Sequence, residues 1–469
     1  MRTIAAGALL VVLVAACSSP AGTAAPSITA TPSTAAPSVA RTGTATPGAS
    51  AKSDADWPGY HRDAARLGQG AGGSFTAVDV AWTSGALDGD VYAEPIVARG
   101  LVIVATERNS MYALDAKTGS TIWHTTFGAP VDASTLPCGN IRPVTGITGT
   151  PVADPAAGLV YAVAFEQPAH HELYALDVAT GAVKFHRTVD APGADPKVHQ
   201  ERGALALANG RVYVPYGGLA GDCGSYRGTV VGANAAANTG DLLSFRVANS
   251  REVGIWAPSG IAVNASGKLF VATGNGADTQ AYAFSDAVLR LSADLQLEDW
   301  WGPTDWQTLD RGDTDVGSVG PSLLPGGRVV VGGKSGFVYV LNENALGNLG
   351  AEVNKAKVCG GAFGGFAFAD GVLYVPCTDG LAAVQLGSDG GLKVVWRGPR
   401  SATGPPIVVA GAVWLTDPAS GTLYALDTAN GQVRFQRQLG AMQHFVTPAA
   451  AGTEILMAAG GKVIALQPR

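Results

Sequence analysis

The sequence predicts an all-β fold, an eight-bladed β-propeller of four-stranded antiparallel blades. The first observation is local. From Val91 to Phe127 the chain reads as four short strands: an opening at Pro95-Ile96-Val97, an apolar run from Leu101 to Thr106, an alternating run from Ser110 to Asp115, and Ser120 to Phe127. Between them stand Arg99-Gly100, Arg108-Asn109 and Lys117-Thr118-Gly119, residues that accept tight turns or positive φ. The second observation is repetition. Tyr112-Ala113-Leu114-Asp115, with Thr118-Gly119 and Trp123, returns as Tyr174-Ala175-Leu176-Asp177, Thr180-Gly181 and Phe185. It returns again as Tyr424-Ala425-Leu426-Asp427, Asn430-Gly431 and Phe435. One four-stranded unit per copy is the mark of a propeller. The third is composition. Charged residues make up 14% of the chain, against about 25% in ordinary globular proteins, and there are 63 glycines. That balance suits many short packed strands and excludes a charged, disordered polypeptide.

The elements follow in order. Asp56-Trp57-Pro58-Gly59-Tyr60, with Asp63, Arg66 and Gly68, opens the ordered region, and Val78 to Trp82 reads as one isolated strand. After the first blade, the second runs from Thr150-Pro151 through Leu159 to Val163 and the Tyr174 repeat. The third holds Ala204 to Ala208 and Arg211 to Val214, then a long connection, Gly217 to Gly228. The fourth holds Ser259 to Val263, Lys268 to Ala272, Gly274-Asn275-Gly276, and Asp286 to Leu291. An acidic loop, Asp305 to Asp315, leads to a fifth blade at Gly320 to Leu324, Val329 to Val331 and Gly336 to Leu341. The sixth spans Gly361 to Trp396 and the seventh Pro406 to Leu439. The eighth, Val446 to Leu466, stops after three strands, so Val78 to Trp82 is expected to supply its fourth and close the ring.

The N-terminus is a targeting segment. Arg2 precedes an apolar stretch, Ile4 to Val14, too short to span a bilayer comfortably. It ends in Val14-Ala15-Ala16-Cys17, which resembles a bacterial lipobox. That resemblance makes residues 1–17 a signal peptide with Cys17 the lipidated residue, and places the protein outside the cytoplasm, held to a membrane by its lipid. Residues 18–54 are Ala, Thr, Pro and Ser with hardly a bulky apolar side chain, and are expected to form an unfolded linker. Residues 55–469 remain for the propeller. Four further cysteines, Cys138, Cys223, Cys359 and Cys377, suit the same compartment. They allow three pairings. The expected one joins Cys359 to Cys377, neighbours in one blade, and Cys138 to Cys223, both in loops. A net charge of −6 without any basic run argues against nucleic acid as a partner.

The Tyr-Ala-Leu-Asp, Thr-Gly, Trp/Phe repeat resembles that of the PQQ-like (pyrroloquinoline quinone) β-propeller superfamily, over nearly all of residues 56–469. The resemblance implies the quinoprotein alcohol dehydrogenase-like fold. It also implies two classes of function, since the superfamily holds quinone-dependent dehydrogenases and non-catalytic relatives such as the propeller lipoprotein of the outer-membrane β-barrel assembly machinery. In the dehydrogenases a calcium ion and PQQ sit where loops meet on the central axis. By resemblance, Asn275 and Asp222 would ligate the metal, and Asp315 or Asp313 would be the base. Lys334 would touch the quinone. Arg202, entering blade three after His199-Gln200-Glu201, is expected either to line the axis as a cofactor contact or to pair with a carboxylate.

Departures from the dehydrogenase pattern favour the non-catalytic class. No two cysteines are adjacent, Asp222 stands where a Glu is expected, and the chain is short for a dehydrogenase. Asn275 between glycines also suits a left-handed turn, Lys334 an exposed turn, and Asp310, Asp313 and Asp315 a solvated loop. His170-His171-Glu172, in a strand connection, lacks further metal ligands, and no nucleophile–base pair for hydrolysis stands out. The loops Gly139 to Thr150, His199 to Gly203, Gly217 to Gly228, Asp313 to Gly320 and Lys334-Ser335-Gly336 occupy similar places in successive blades. They are expected to converge on one polar pocket on one face, for a small ligand or a protein partner. The sequence thus reads as a lipid-anchored binding or scaffold module of the cell envelope, with a PQQ- and calcium-dependent dehydrogenase as the alternative.

Overall fold

A computed structural model describes residues 55–278 and 280–469. The signal segment, Cys17 and nearly all of the linker lie outside the described residues. Among the described residues, no helix is long and apolar enough to cross a membrane.

Eight antiparallel sheets make eight blades. Blade 1 comprises Ile96–Ala98, Leu101–Thr106, Ser110–Asp115 and Thr121–Thr126; blade 2 comprises Val152–Asp154, Leu159–Glu166, His170–Asp177 and Val183–Thr188. Blade 3 is Ala206–Ala208, Arg211–Gly218, Thr229–Asn234 and Leu243–Arg246, and blade 4 is Ala262–Val263, Leu269–Ala272, Val288–Leu291 and Leu297–Gly302. Blade 5 is Val319–Leu324, Arg328–Gly332, Phe337–Asn342 and Asn354–Lys357; blade 6 is Ala367–Ala369, Val372–Val375, Ala382–Leu386 and Leu392–Arg397. Blade 7 is Ile407–Val409, Ala412–Asp417, Thr422–Asp427 and Val433–Gln438. Blade 8 has Ala449–Ala451, Glu454–Ala459 and Lys462–Pro468, and Val78–Thr83 completes it in antiparallel register, Val78 opposite Pro468 and Thr83 opposite Ile464. The expected ring closure is therefore present, and both sheet edges it would otherwise expose are paired.

The repeat residues hold the blades together. Oδ1 of Asp115 accepts the N–H groups of Lys117 and Thr118 and the Thr118 hydroxyl, and Asp177 repeats this with Ala179 and Thr180. The turn leaves Gly119, Gly181 and Gly431 at φ near +70°, which glycine adopts without strain. Onto these glycines the preceding blade's indole packs. Trp82 covers Gly119, Trp123 covers Gly181 and Trp396 covers Gly431, so closely that a Cβ would sit 2.3–2.5 Å from the ring. Each indole N–H donates to a carbonyl of that same turn, Ala116, Val178 and Thr428 respectively. Apolar clusters fill the spaces between neighbouring blades.

The first strands of the blades are neighbours around the ring and line its axis. Residues 57–71 run across them. Trp57 bonds Val97, Pro58 takes the N–H of Ala153, and the Arg66 side chain reaches the carbonyls of Leu205 and Ile261. Ala64, Ala65, Leu67 and Gly68 then accept from Val263, Leu323, Phe368 and Val408. One segment thus stitches blades 1 to 7 and plugs one end of the axis. Its Trp57 indole and the His61 N–H both donate to the buried Glu94. At sequence level this segment announced only that order begins there.

Two local expectations are corrected. The acidic stretch between blades 4 and 5 contains a short α-helix, Trp306–Gly312, seated by buried Trp306 and Leu309. His170-His171-Glu172 lies within a strand of blade 2, where His171 bonds Asp190 and Glu172 bonds His186 and Thr188.

Candidate functional site

At the end of the axis where the first strands begin, away from the plug, the connections converge on a cavity of about 270 Å³. Every loop expected there contributes. Asn140 and Ile141 come from the connection after blade 1, Gln200 and Arg202 from that before blade 3, and Gly218 to Asp222 with Tyr226 from the long blade 3 loop. Asn275, Asp313 and Lys334 complete the set, so Asp222, Asn275, Asp313, Lys334 and Arg202 share one wall system. Asp315 lies directly behind, wholly buried, with its carboxylate 2.8 Å from Lys334 Nζ and accepting the Trp256 indole N–H at 3.0 Å.

The glycines have a physical reason. Asn275 is not in the left-handed region, contrary to the turn expected of it. Gly274 is needed for space instead: a Cβ there would stand 2.9 Å from Asp315 and 3.1 Å from the Trp256 indole nitrogen. Nor is Lys334 an exposed turn residue. Its ammonium is held between Asp313 at 2.5 Å and Asp315 at 2.8 Å, and lies over the Trp256 ring. Burial opposes the Lys334 charge, but the two carboxylates outweigh it and raise its pKa. Burial raises that of Asp315 too, with Lys334 restraining the shift. Asp313 is a solvated loop residue, its side chain 64% exposed, whereas Asp315 is not.

The Cys138–Cys223 disulfide ties the long loop to the connection after blade 1, beside the cavity, and Cys359–Cys377 forms in blade 6 as expected. The Asp222 carboxylate accepts the Tyr226 hydroxyl at 2.5 Å.

Sequence reasoning missed the aromatic wall. Tyr92, His444, Phe445, Phe363 and Trp256 form an unbroken series of ring contacts, with centroids 5.1, 4.8, 5.5 and 6.3 Å apart in turn. Each stands shortly before a first strand, the only signal that could have found them. Arg202 lies at one end, its guanidinium 5.8 Å from the Tyr92 ring centre and 5.7 Å from that of Phe445.

A family model described as outer membrane protein assembly factor BamB, built on PQQ-type repeats, matches residues 71–277 and 344–469. The chain belongs to this PQQ-like propeller family. Lys334 and both candidate aspartates, Asp313 and Asp315, fall between the two matched stretches. No curated protein sequence matches the chain. Among solved structures, quinohemoprotein alcohol dehydrogenase from Comamonas testosteroni is 16% identical with a TM-score of 0.67, covering 88% of this chain and 80% of that one. A europium-containing methanol dehydrogenase is 16% identical with a TM-score of 0.68, covering 88% and 91%. BamB from Moraxella catarrhalis is 13% identical with a TM-score of 0.56, covering 83% and 98%. At these identities the PQQ-like neighbours share the fold alone.

The residues present do not assemble a quinone–calcium seat. Asp222, Asp313 and Asp315 each already serve a neighbouring donor, Tyr226 or Lys334. Among the described residues, the only grouping of three metal-capable His, Cys, Asp or Glu side chains is Cys359, Cys377 and Asp379, whose cysteines are joined in a disulfide.

Proposed function

We propose that this PQQ-like propeller is a lipid-anchored, extracytoplasmic binding module whose axial cavity seats a small ligand and catalyses nothing. One observation carries the reading. The carboxylates that proton abstraction or metal binding would need are committed inside the protein, with Asp315 held by Lys334 and Trp256 and Asp222 by Tyr226. Both disulfides suit an oxidising compartment. The lipobox-like Val14-Ala15-Ala16-Cys17 supports the anchor. Partitioning of the protein into detergent, lost in Cys17→Ala, tests the anchor.

A second reading, a PQQ- and calcium-dependent alcohol oxidoreductase, is favoured by the gathering of Asn275, Asp222, Lys334 and Arg202 around one cavity with Asp315 behind it. Thermal melts with and without PQQ plus calcium separate the two. Ligand at 100 times its Kd should add roughly 2.7 kcal/mol. No shift, and no dye-linked alcohol oxidation, supports the binding module. A shift lost in an Asn275→Ala, Asp222→Ala double variant would overturn it.

A further inference from the structure

Arg202 is the unbalanced group of the cavity. It is only 6% exposed, its NH2 nitrogen is buried without a hydrogen-bond partner, and it lines the cavity. Among the described residues no carboxylate comes within ion-pair distance of it. The faces of Tyr92 and Phe445 lie beside it, and the buried carboxyl groups of Glu107 and Glu201 act on it through space. Lys334, at the other end of the aromatic wall, is by contrast neutralised twice. A buried guanidinium without a counter-ion is costly to hold, and its flat fork of donors matches a carboxylate.

Phe445 adds a second, independent sign. Its φ is +63°, a left-handed conformation that is an outlier for a bulky residue and is found where surrounding structure and function demand it. That conformation stacks its ring on Phe363 at 5.5 Å and presents it to Arg202. Beyond the rings, Asn275 lines the cavity and offers it an amide oxygen as acceptor. At about 270 Å³ the space falls just below the roughly 300–1,000 Å³ of drug-sized sites, enough for a one- or two-ring molecule.

We propose that the cavity binds a small, flat organic acid, its carboxylate on the free edge of Arg202 and its plane along the lining rings of Phe445, His444 and Trp256. A hydroxyl or amino group at the ligand's far end would donate to Asn275. This rests on the reading of the cavity as a ligand seat, and it makes Arg202 the residue that sets specificity.

Calorimetric titration of the purified protein with para-hydroxyphenylacetate tests it, beside the neutral para-hydroxyphenylacetamide and the saturated para-hydroxycyclohexylacetate. The acid should bind, and the amide should be weaker by roughly tenfold or more, the worth of a charge-assisted hydrogen bond. The cyclohexyl acid should also be weaker, and Arg202→Gln should erase the preference for acid over amide. Phe445→Gly should weaken binding, and the stability lost with its ring contacts should be partly offset because glycine adopts φ +63° freely. Equal binding of acid and amide, or an acid preference that survives Arg202→Gln, overturns anion recognition while leaving the cavity a ligand seat. Silence toward every flat acid overturns the proposal. If the same sample then responds to PQQ with calcium, the non-catalytic reading falls separately.

Discussion

Replacing Arg202 with Met should make the ligand-free propeller more stable. The guanidinium is 6% exposed and lacks an ion pair, and burying an unpaired ion costs several kcal/mol even after relaxation. Against that stand two ring contacts at 5.8 and 5.7 Å, each worth about 0.5–2 kcal/mol. Burial accordingly lowers the pKa of Arg202. Met is unbranched, of similar length and adaptable, so it keeps the packing and removes the charge, for a gain of about 1–2 kcal/mol. With an unfolding entropy of about 2.1 cal/mol/K per residue over roughly 400 residues, calorimetry should show a rise of about 1–3 °C. At an acid concentration 100 times its Kd the order should reverse, because the wild type alone gains roughly 2.7 kcal/mol. A ligand-free variant that melts several degrees lower would refute the reasoning: Arg202 would then have an internal partner and would not be awaiting an anion.

Stability should also fall as pH rises from about 4.5 through about 7. Burial pushes Glu107 up to about 7 and Glu201 well above the carboxylate range, so the native state keeps protons that the unfolded chain releases above 4.5, and that advantage is lost as pH rises through the folded values. Below 6.5 the buried His61 and His444, lowered to about 3 and about 4, act in the opposite sense and make the fall shallower there. Urea midpoints that rise across that range would contradict this, and Glu107→Gln should flatten the curve near 7. Cys138→Ser/Cys223→Ser, with a separation of 85, should cost about 4–5 kcal/mol, and Cys359→Ser/Cys377→Ser, with 18, about 3. Only the first should weaken cavity binding, since Leu219 to Asp222 line the cavity. Trp123→Ala should cost about 3–5 kcal/mol by emptying the joint between blades 1 and 2. Gly181→Ala should also destabilise, its Cβ meeting the same ring at 2.5 Å; equal urea midpoints for either variant and wild type would remove the indole–glycine joint as a source of stability.

The propeller was legible because its repeat is a local device. Asp115, Thr118 and Gly119 fix a turn within a few residues, and Trp123 fills the next blade's matching turn, so three copies declare a ring. Closure was legible because a lone strand at Val78 answered a missing one after Leu466. The plug was not. Its bonds run from one irregular segment to seven blades up to 340 residues away, as from Gly68 to Val408, and apart from those of the Arg66 side chain they use backbone groups that every sequence possesses. The cavity divides the same way. Polar loops at equivalent blade positions could be lined up by eye, whereas Trp256, Phe363 and Phe445 read as ordinary apolar residues until the fold joins them. The helix 306–312 hid among acidic residues because buried Trp306 and Leu309, rather than a long periodic pattern, hold it in place.

Plug and cavity together explain why Arg202 keeps an uncancelled charge. The plug buries Glu94 under Trp57 and His61 and shuts one end of the axis, so a ligand enters and leaves by the cavity face alone. The carboxyl groups nearest Arg202, Glu107 and Glu201, are themselves buried and bonded to the N–H groups of Gly146 and Gly149. Burial favours their protonated forms. Carboxyl groups whose protonated forms burial favours offset a guanidinium only in part. The remaining counter-charge can come from the open face, where an arriving carboxylate meets the Arg202 guanidinium with the Phe445 ring beside it.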